Sequence, residues 1–130
     1  MKIMFVCTGN ICRSAMAHVM LEKRAKEENK NIEVYSCGVF AENGDFSTEE
    51  AIETMQEYGI DLKKHRATNI RNSNIENMDI ILCATTAHKN NVIAMYPNLE
   101  EKIFTMKEYA RIPKKRFRYK RPLGIWDCSI

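Results

Sequence analysis

Cys7 and Arg13 bracket five mostly small or polar residues in the stretch VCTGNICRSA, residues 6 to 15, directly after the apolar run KIMFVC. Where a strand turns into a helix through such a loop, backbone N–H groups point inward and the helix adds its positive end. A tetrahedral oxyanion can sit there. Gly9 permits close backbone approach, and the Arg13 guanidinium can grip two oxygens at once. The same positive field favours the thiolate form of Cys7, to which Ser14 can donate a hydrogen bond. A thiolate facing a bound phosphoryl group, with an arginine on its equatorial oxygens, can attack a phosphate monoester through a phosphocysteine intermediate. The structural alternative makes Cys7 a buried strand-end residue and Arg13 a surface charge, and the strand–loop–helix context weighs against it.

The elements that position the loop follow from periodicity. Residues 2–7 read as a short buried strand ending at Thr8-Gly9. A helix is expected from about Ser14, with Ala15/Val19 and Met16/Met20 on one face and residues 22–30 solvating its end. Residues 32–36 alternate as a second strand. In STEEAIETMQEYG, Ser47 and Glu50 match a capping box, Ile52 and Met55 share a face, and Gly59 supplies the stop. MDIILCA (78–84) is the continuous apolar run of a central parallel strand. Thr86 then precedes a helix ending before Pro97, and KIFTM (102–106) reads as a fourth strand. Strands alternating with helices predict a small three-layer α/β domain on a four-stranded parallel sheet, spanning 1–112. Ligands bind such sheets at the carboxyl ends of the strands, where the 7–13 loop lies.

A length of 130 residues with 45% apolar content suits one domain and one core. No apolar run approaches the ~20 residues of a membrane span, and MKIMFVC lacks the pattern of a signal peptide, so a cytoplasmic protein with no membrane partner is expected. The five cysteines form no C-x-x-C pair and fit reduced thiols. His18, His65 and His88 do not pair with them at ligand spacing, so neither a metal nor another cofactor is expected. The net charge of +3 is uneven: residues 111–130 carry +6, leaving −3 on the other 110. The basicity belongs to the tail and says little about what the body binds.

VCTGNICRSAMA resembles the signature of the low-molecular-weight protein tyrosine phosphatases. The likeness continues through SCGVFA, YGIDLKKHRA, MDIILCATTAHK and KIFTMKEYA, about residues 1 to 110. The resemblance implies that Cys7 is the nucleophile, Arg13 the phosphate clamp and Ser14 the thiolate's partner. It implies a phosphate-binding loop of Thr8, Gly9, Asn10, Ile11 and Cys12, with Asn10 holding its shape against a structural His65. Cys12 would lie near enough to Cys7 to trap it as a reversible disulfide. Ala15 replaces the family's usual proline at little consequence. The implied partners are a phosphorylated protein or small phosphate ester, and inorganic phosphate or a similar oxyanion. Among related activities, arsenate reductases need further cysteines about seven residues apart, and Cys83 is followed by Asn90. Bacterial protein-arginine phosphatases resemble the chain closely, Phe40 included, but typically carry threonine at the position of Ile11, which leans toward phosphotyrosine.

The family's general acid, an aspartate in a D-P-[FWY]-G motif after the KEYA segment, has no counterpart, because the sequence contains no Asp-Pro. In its place stands KKRFRYKRPLGIWDCSI, and the family's last helix is missing, so 113–130 is expected to be an aberrant, poorly ordered basic tail. Shifted by one base, permitted codons for this tail yield KKDLDIKDPWGYGIVAY, which contains DPWG. A frameshift is therefore expected, with activity impaired, and the seven basic residues of 111–130 are not a nucleic-acid patch. A non-catalytic oxyanion-binding domain is the alternative of another class.

Overall fold

The computed structural model describes residues 1–111; the expected boundary near residue 112 and the whole segment 113–130 lie outside the described residues. Strand β1 (Lys2–Cys7) leads through the loop into helix α1 (Arg13–Glu27). Then follow β2 (Glu33–Gly38), α2 (Glu49–Glu57), β3 (Ile80–Cys83), α3 (Thr86–Met95), β4 (Ile103–Thr105) and the short α4 (Met106–Ala110). The strands pair in parallel in the order β2-β1-β3-β4. From β1 the chain first passes to β2 on one side and later to β3 on the other. The loop after Cys7 therefore emerges where the strand order switches direction, the position that leaves a crevice open to ligands.

Alternation along β1 divides the core between two faces. Ile3 and Phe5, with Val34, Ile80 and Leu82, pack against Ala17 and Leu21 of α1 and Tyr109 of α4. Met4 and Val6, with Cys37, Ile81, Cys83 and Ile103, meet Val92 of α3 and Ile70, Ile75 and Leu99. The expected three layers result. Phe5 has no exposed surface, and burying such a ring is worth about 2–3 kcal/mol. Ala15 and Met16 of α1 also pack on Ala51, Met55 and Leu62, which fixes α2 beside the start of α1.

Several boundaries differ from expectation for local reasons. Helix α1 begins at Arg13, and β2 runs through Gly38 because Cys37 and Gly38 pair with Val6 and Cys7. Thr48, not Ser47, caps α2: its hydroxyl accepts from Ala51 N at 3.1 Å, while its own N–H donates to Ile11 O at 3.0 Å. Ser47 Oγ is buried with no hydrogen-bond partner among the described residues. Thr85 caps α3, with Thr86 its first residue. Met106 belongs to α4, whose start is set by a capping box between Thr105 and Glu108. Gly59 stops α2 as expected, at φ 72°.

Candidate active site

Strand β1 delivers Cys7 as its last residue, and α1 takes up the chain at Arg13. Cys12, in the capping position of α1, makes no side-chain cap, and the first turn holds no acidic residue. The leading N–H groups of the helix are thus free for an external anion, with the dipole in its favour. They border a pocket of about 250 Å³ lined by Cys7, Thr8, Gly9, Ile11, Cys12, Arg13 and His88.

The sulfur of Cys7 is 2.8 Å from Ser14 Oγ and accepts from Asn10 N at 3.3 Å. The direction of the first contact follows from Asn10. Its Oδ1 accepts from Thr68 N at 2.9 Å, so its Nδ2 donates to Ser14 Oγ at 2.8 Å. Ser14 spends its acceptor capacity on that amide and keeps its proton for the sulfur, the arrangement a thiolate requires.

Asn10 is fully buried at φ 57°, a left-handed conformation that asparagine tolerates better than most residues. Gly9 is not among the residues at positive φ; the loop's unusual turn falls on Asn10. His65 Nε2 donates to the Asn10 backbone carbonyl at 2.8 Å, which joins the two residues expected to lie together. Burial pushes the His65 imidazole below its ordinary range, against the opposing pull of that carbonyl. His18 meets His65 edge to face at 5.9 Å and bonds Ser36 Oγ at 2.7 Å. Burial lowers His18 as well, with Glu22 opposing.

Gly38 seats the loop from the β2 side. A Cβ there would lie 2.4 Å from Thr8 O and 2.9 Å from Asn10 N, so any side chain displaces the loop backbone. Val39 N and Phe40 N donate to Cys7 O and Thr8 O, each at 2.9 Å, which ties the backbone of the exposed Phe40 to the loop. Sequence reasoning overlooked Gly38 and Thr68, which act only through approach in space. It also weighed His88 solely as a metal ligand. The TTAHK segment, with threonine three residues before histidine at a helix start, carried a signal for the cap that fixes the His88 ring.

Four cysteines among the described residues are free thiols. Cys37 and Cys83 are buried, and burial pushes both thiols up to about 12. Cys7 and Cys12 share the pocket. A larger groove of about 690 Å³ runs between α1 and residues 59–61, with Lys23, Lys26 and Lys30 on its wall, and its lining holds no cysteine, serine or threonine.

An uncapped helix start facing a strand-end cysteine and an arginine, at the switch point of a parallel sheet, is the framework of a cysteine-dependent phosphatase. The chain belongs to the low molecular weight phosphotyrosine protein phosphatase family, whose model matches residues 2–119. It is 38% identical to a protein-arginine-phosphatase of Bacillus subtilis over 84% of this chain and 72% of that protein. It is 36% identical to the low molecular weight protein-tyrosine-phosphatase PtpB of Staphylococcus epidermidis over 84% of this chain and 73% of that one. The crystal structure of a low molecular weight protein tyrosine phosphatase from T. tengcongensis superposes with a TM-score of 0.81 at 39% identity, covering 87% of this chain and 78% of that chain. The chain is a protein phosphatase of this family, as its sequence motifs led us to expect.

Proposed function

We propose that the chain cleaves phosphate monoesters on proteins, phosphotyrosine first among them, with Cys7 as nucleophile. The observation that carries the assignment is the Cys7 sulfur held by Ser14 and Asn10 in a pocket shared with Arg13. The thiolate attacks phosphorus, forming S–P as the bond to the ester oxygen breaks, and the leaving oxygen takes up a proton. Water then cleaves S–P, returning the thiolate and inorganic phosphate. Arg13 and the N–H groups of the loop and of α1 bind the phosphoryl oxygens throughout. Thr8, Gly9, Ile11 and Cys12 shape the cradle, while Cys12 guards Cys7 as a disulfide partner. A reducing compartment, the cytoplasm, suits both thiols.

The protonation step is the weak one. With no Asp-Pro in the sequence, turnover lacks a group worth roughly 10²- to 10⁴-fold where the leaving group is a tyrosine phenolate. The 130-residue protein should therefore release phosphate readily from an ester with a fast leaving group and slowly from phosphotyrosine. Equal family-like rates on both would refute the impairment. Protection of Cys7 from alkylation by phosphate, without any phosphate release, would instead mark a binding domain. The nucleotides around codons 111 to 116 test the frameshift: an absent DPWG in the neighbouring frame sinks it. Phosphoarginine is the second reading, supported by the 38% identical arginine phosphatase, and is tested by supplying both phosphoamino acids in one competition assay.

A further inference from the structure

We infer that Thr8 and His88 extend the oxyanion site: the Thr8 hydroxyl, aligned by the His88 ring, donates to the bound phosphoryl group, and His88 strengthens that binding as pH falls. The inference rests on reading residues 7–14 as a phosphate cradle and assigns to it the loop's own Thr8 hydroxyl as a donor and a charge, His88, from the start of α3 beyond β3.

His88 Nε2 lies 2.7 Å from Thr8 Oγ1, and His88 Nδ1 lies 2.7 Å from Thr85 Oγ1. The Thr85 oxygen also accepts from His88 N at 3.2 Å. Each hydroxyl has one proton to give. When the Thr85 proton goes to Nδ1, the neutral ring carries its own on Nε2 and donates to Thr8 Oγ1. The Thr8 proton is then left for the pocket that Thr8 and His88 line together with Cys7 and Arg13. The reverse order would turn the Thr8 proton toward the ring and leave an anion facing a bare oxygen lone pair. A bound oxyanion therefore selects the first order. Donors chained in this way reinforce one another.

The charged and titratable groups around the ring are Arg13 and the thiols of Cys7 and Cys12 on the loop, and Lys89, which is paired with Glu108 of α4 at 2.6 Å. Burial, then Arg13, holds His88 below its ordinary range, so the empty site keeps the ring neutral near pH 7. A bound dianion acts in the opposite sense and favours the imidazolium. By linkage, a protonated ring favours the dianion equally. Protonation leaves the donor chain intact, because Nδ1–H can donate to the second lone pair of Thr85 while Nε2–H still serves Thr8. Oxyanion affinity should accordingly rise as the solution is acidified below about pH 6.5.

The test uses the 130-residue protein carrying Cys7→Ser, which removes the thiol's titration, and sulfate as the probe, a dianion throughout the range. Calorimetry should show sulfate binding tightening about five-fold or more between about pH 7 and about pH 5.5, with the His88 ring resonance titrating at higher pH when sulfate is present. His88→Gln keeps a donor for Thr8 without the charge. It should lose the rise on the acid side, although His18 and His65 still titrate in that variant. Thr8→Val should weaken binding about ten-fold at both pH values, and Thr8→Ser should restore it. Retention of the full acid-side rise by His88→Gln, or a His88 titration unmoved by sulfate, overturns the inference. Failure of the parent to bind sulfate at all, with Arg13→Ala no different, overturns the cradle itself and the inference with it.

Discussion

Beneath the 7–14 loop, Asn10 and Ser14 are fully buried and tied to each other, to Cys7, to Thr68 and to His65 at 2.8–3.3 Å. At the mouth of the same loop, Ile11 is half-buried, and Phe40, whose N–H donates to Thr8 O, is exposed. The underside fixes where the sulfur and the anion sit, which matters whatever group is attached to the phosphate. The mouth meets that group. Rate should therefore respond to the underside uniformly across substrates, and preference should respond to the mouth.

The largest effect expected is at the sulfur. Cys7→Ser should lower phosphate release from every ester by roughly 10⁴-fold or more while oxyanion binding survives. A steady-state phosphate assay beside a binding titration separates the two. Gly38→Ala comes next, because its Cβ would strike Thr8 O and Asn10 N. Displacement of the cradle should cost about 10²-fold, equally for fast-leaving and slow-leaving esters. A substrate-dependent loss measured in parallel assays would break the division between underside and mouth.

A smaller change is expected at the mouth. Ile11→Thr should shift the ratio of phosphoarginine to phosphotyrosine hydrolysis by about ten-fold and leave the melting temperature nearly unchanged. An unaltered ratio would move the determinant of preference away from Ile11, with Phe40 the next residue to test.

The smallest effect concerns stability. Burial lowers His18, His65 and His88 below the ordinary histidine value of 6.5. Between that value and their folded ones, the unfolded chain binds more protons, so stability falls as pH falls. The loss begins near pH 6.5 and is complete below the folded values. The melting temperature should drop by about 2–5 °C from about pH 7 to about pH 5. His18→Gln should flatten the slope, and a melting temperature that rises on acidification would contradict the assignment of these rings as neutral.

The sequence carried most of what depends on near neighbours. Residues 2–7 form the expected strand, the 78–84 run contains an interior one, and Cys7 lies within hydrogen-bond reach of Ser14, because strand, loop and helix are continuous. What could not be read is closure across the fold. Thr8 finds His88 at a separation of 80 residues, and Asn10 finds Thr68 at 58, pairings that only the parallel crossovers create. Gly38 looked ordinary because its requirement is the nearness of another backbone, not a positive φ. Ser47 fitted a capping pattern as well as Thr48 did, and the hydrogen bond from Thr48 N to Ile11 O decided between them. Alternation misplaced the end of β2, since both faces of the sheet are covered there and burial no longer has period two.

Val6 pairs with Cys37 on one side and Cys83 on the other, and the two flanking thiols, pushed up to about 12 by burial, keep their protons at physiological pH. Among the described cysteines, these two therefore stay silent toward a thiol-alkylating agent, which leaves Cys7 and Cys12, the pair that shares the pocket. Labelling read at Cys7 itself, apart from the fifth cysteine Cys128, becomes a gauge of how full the pocket is.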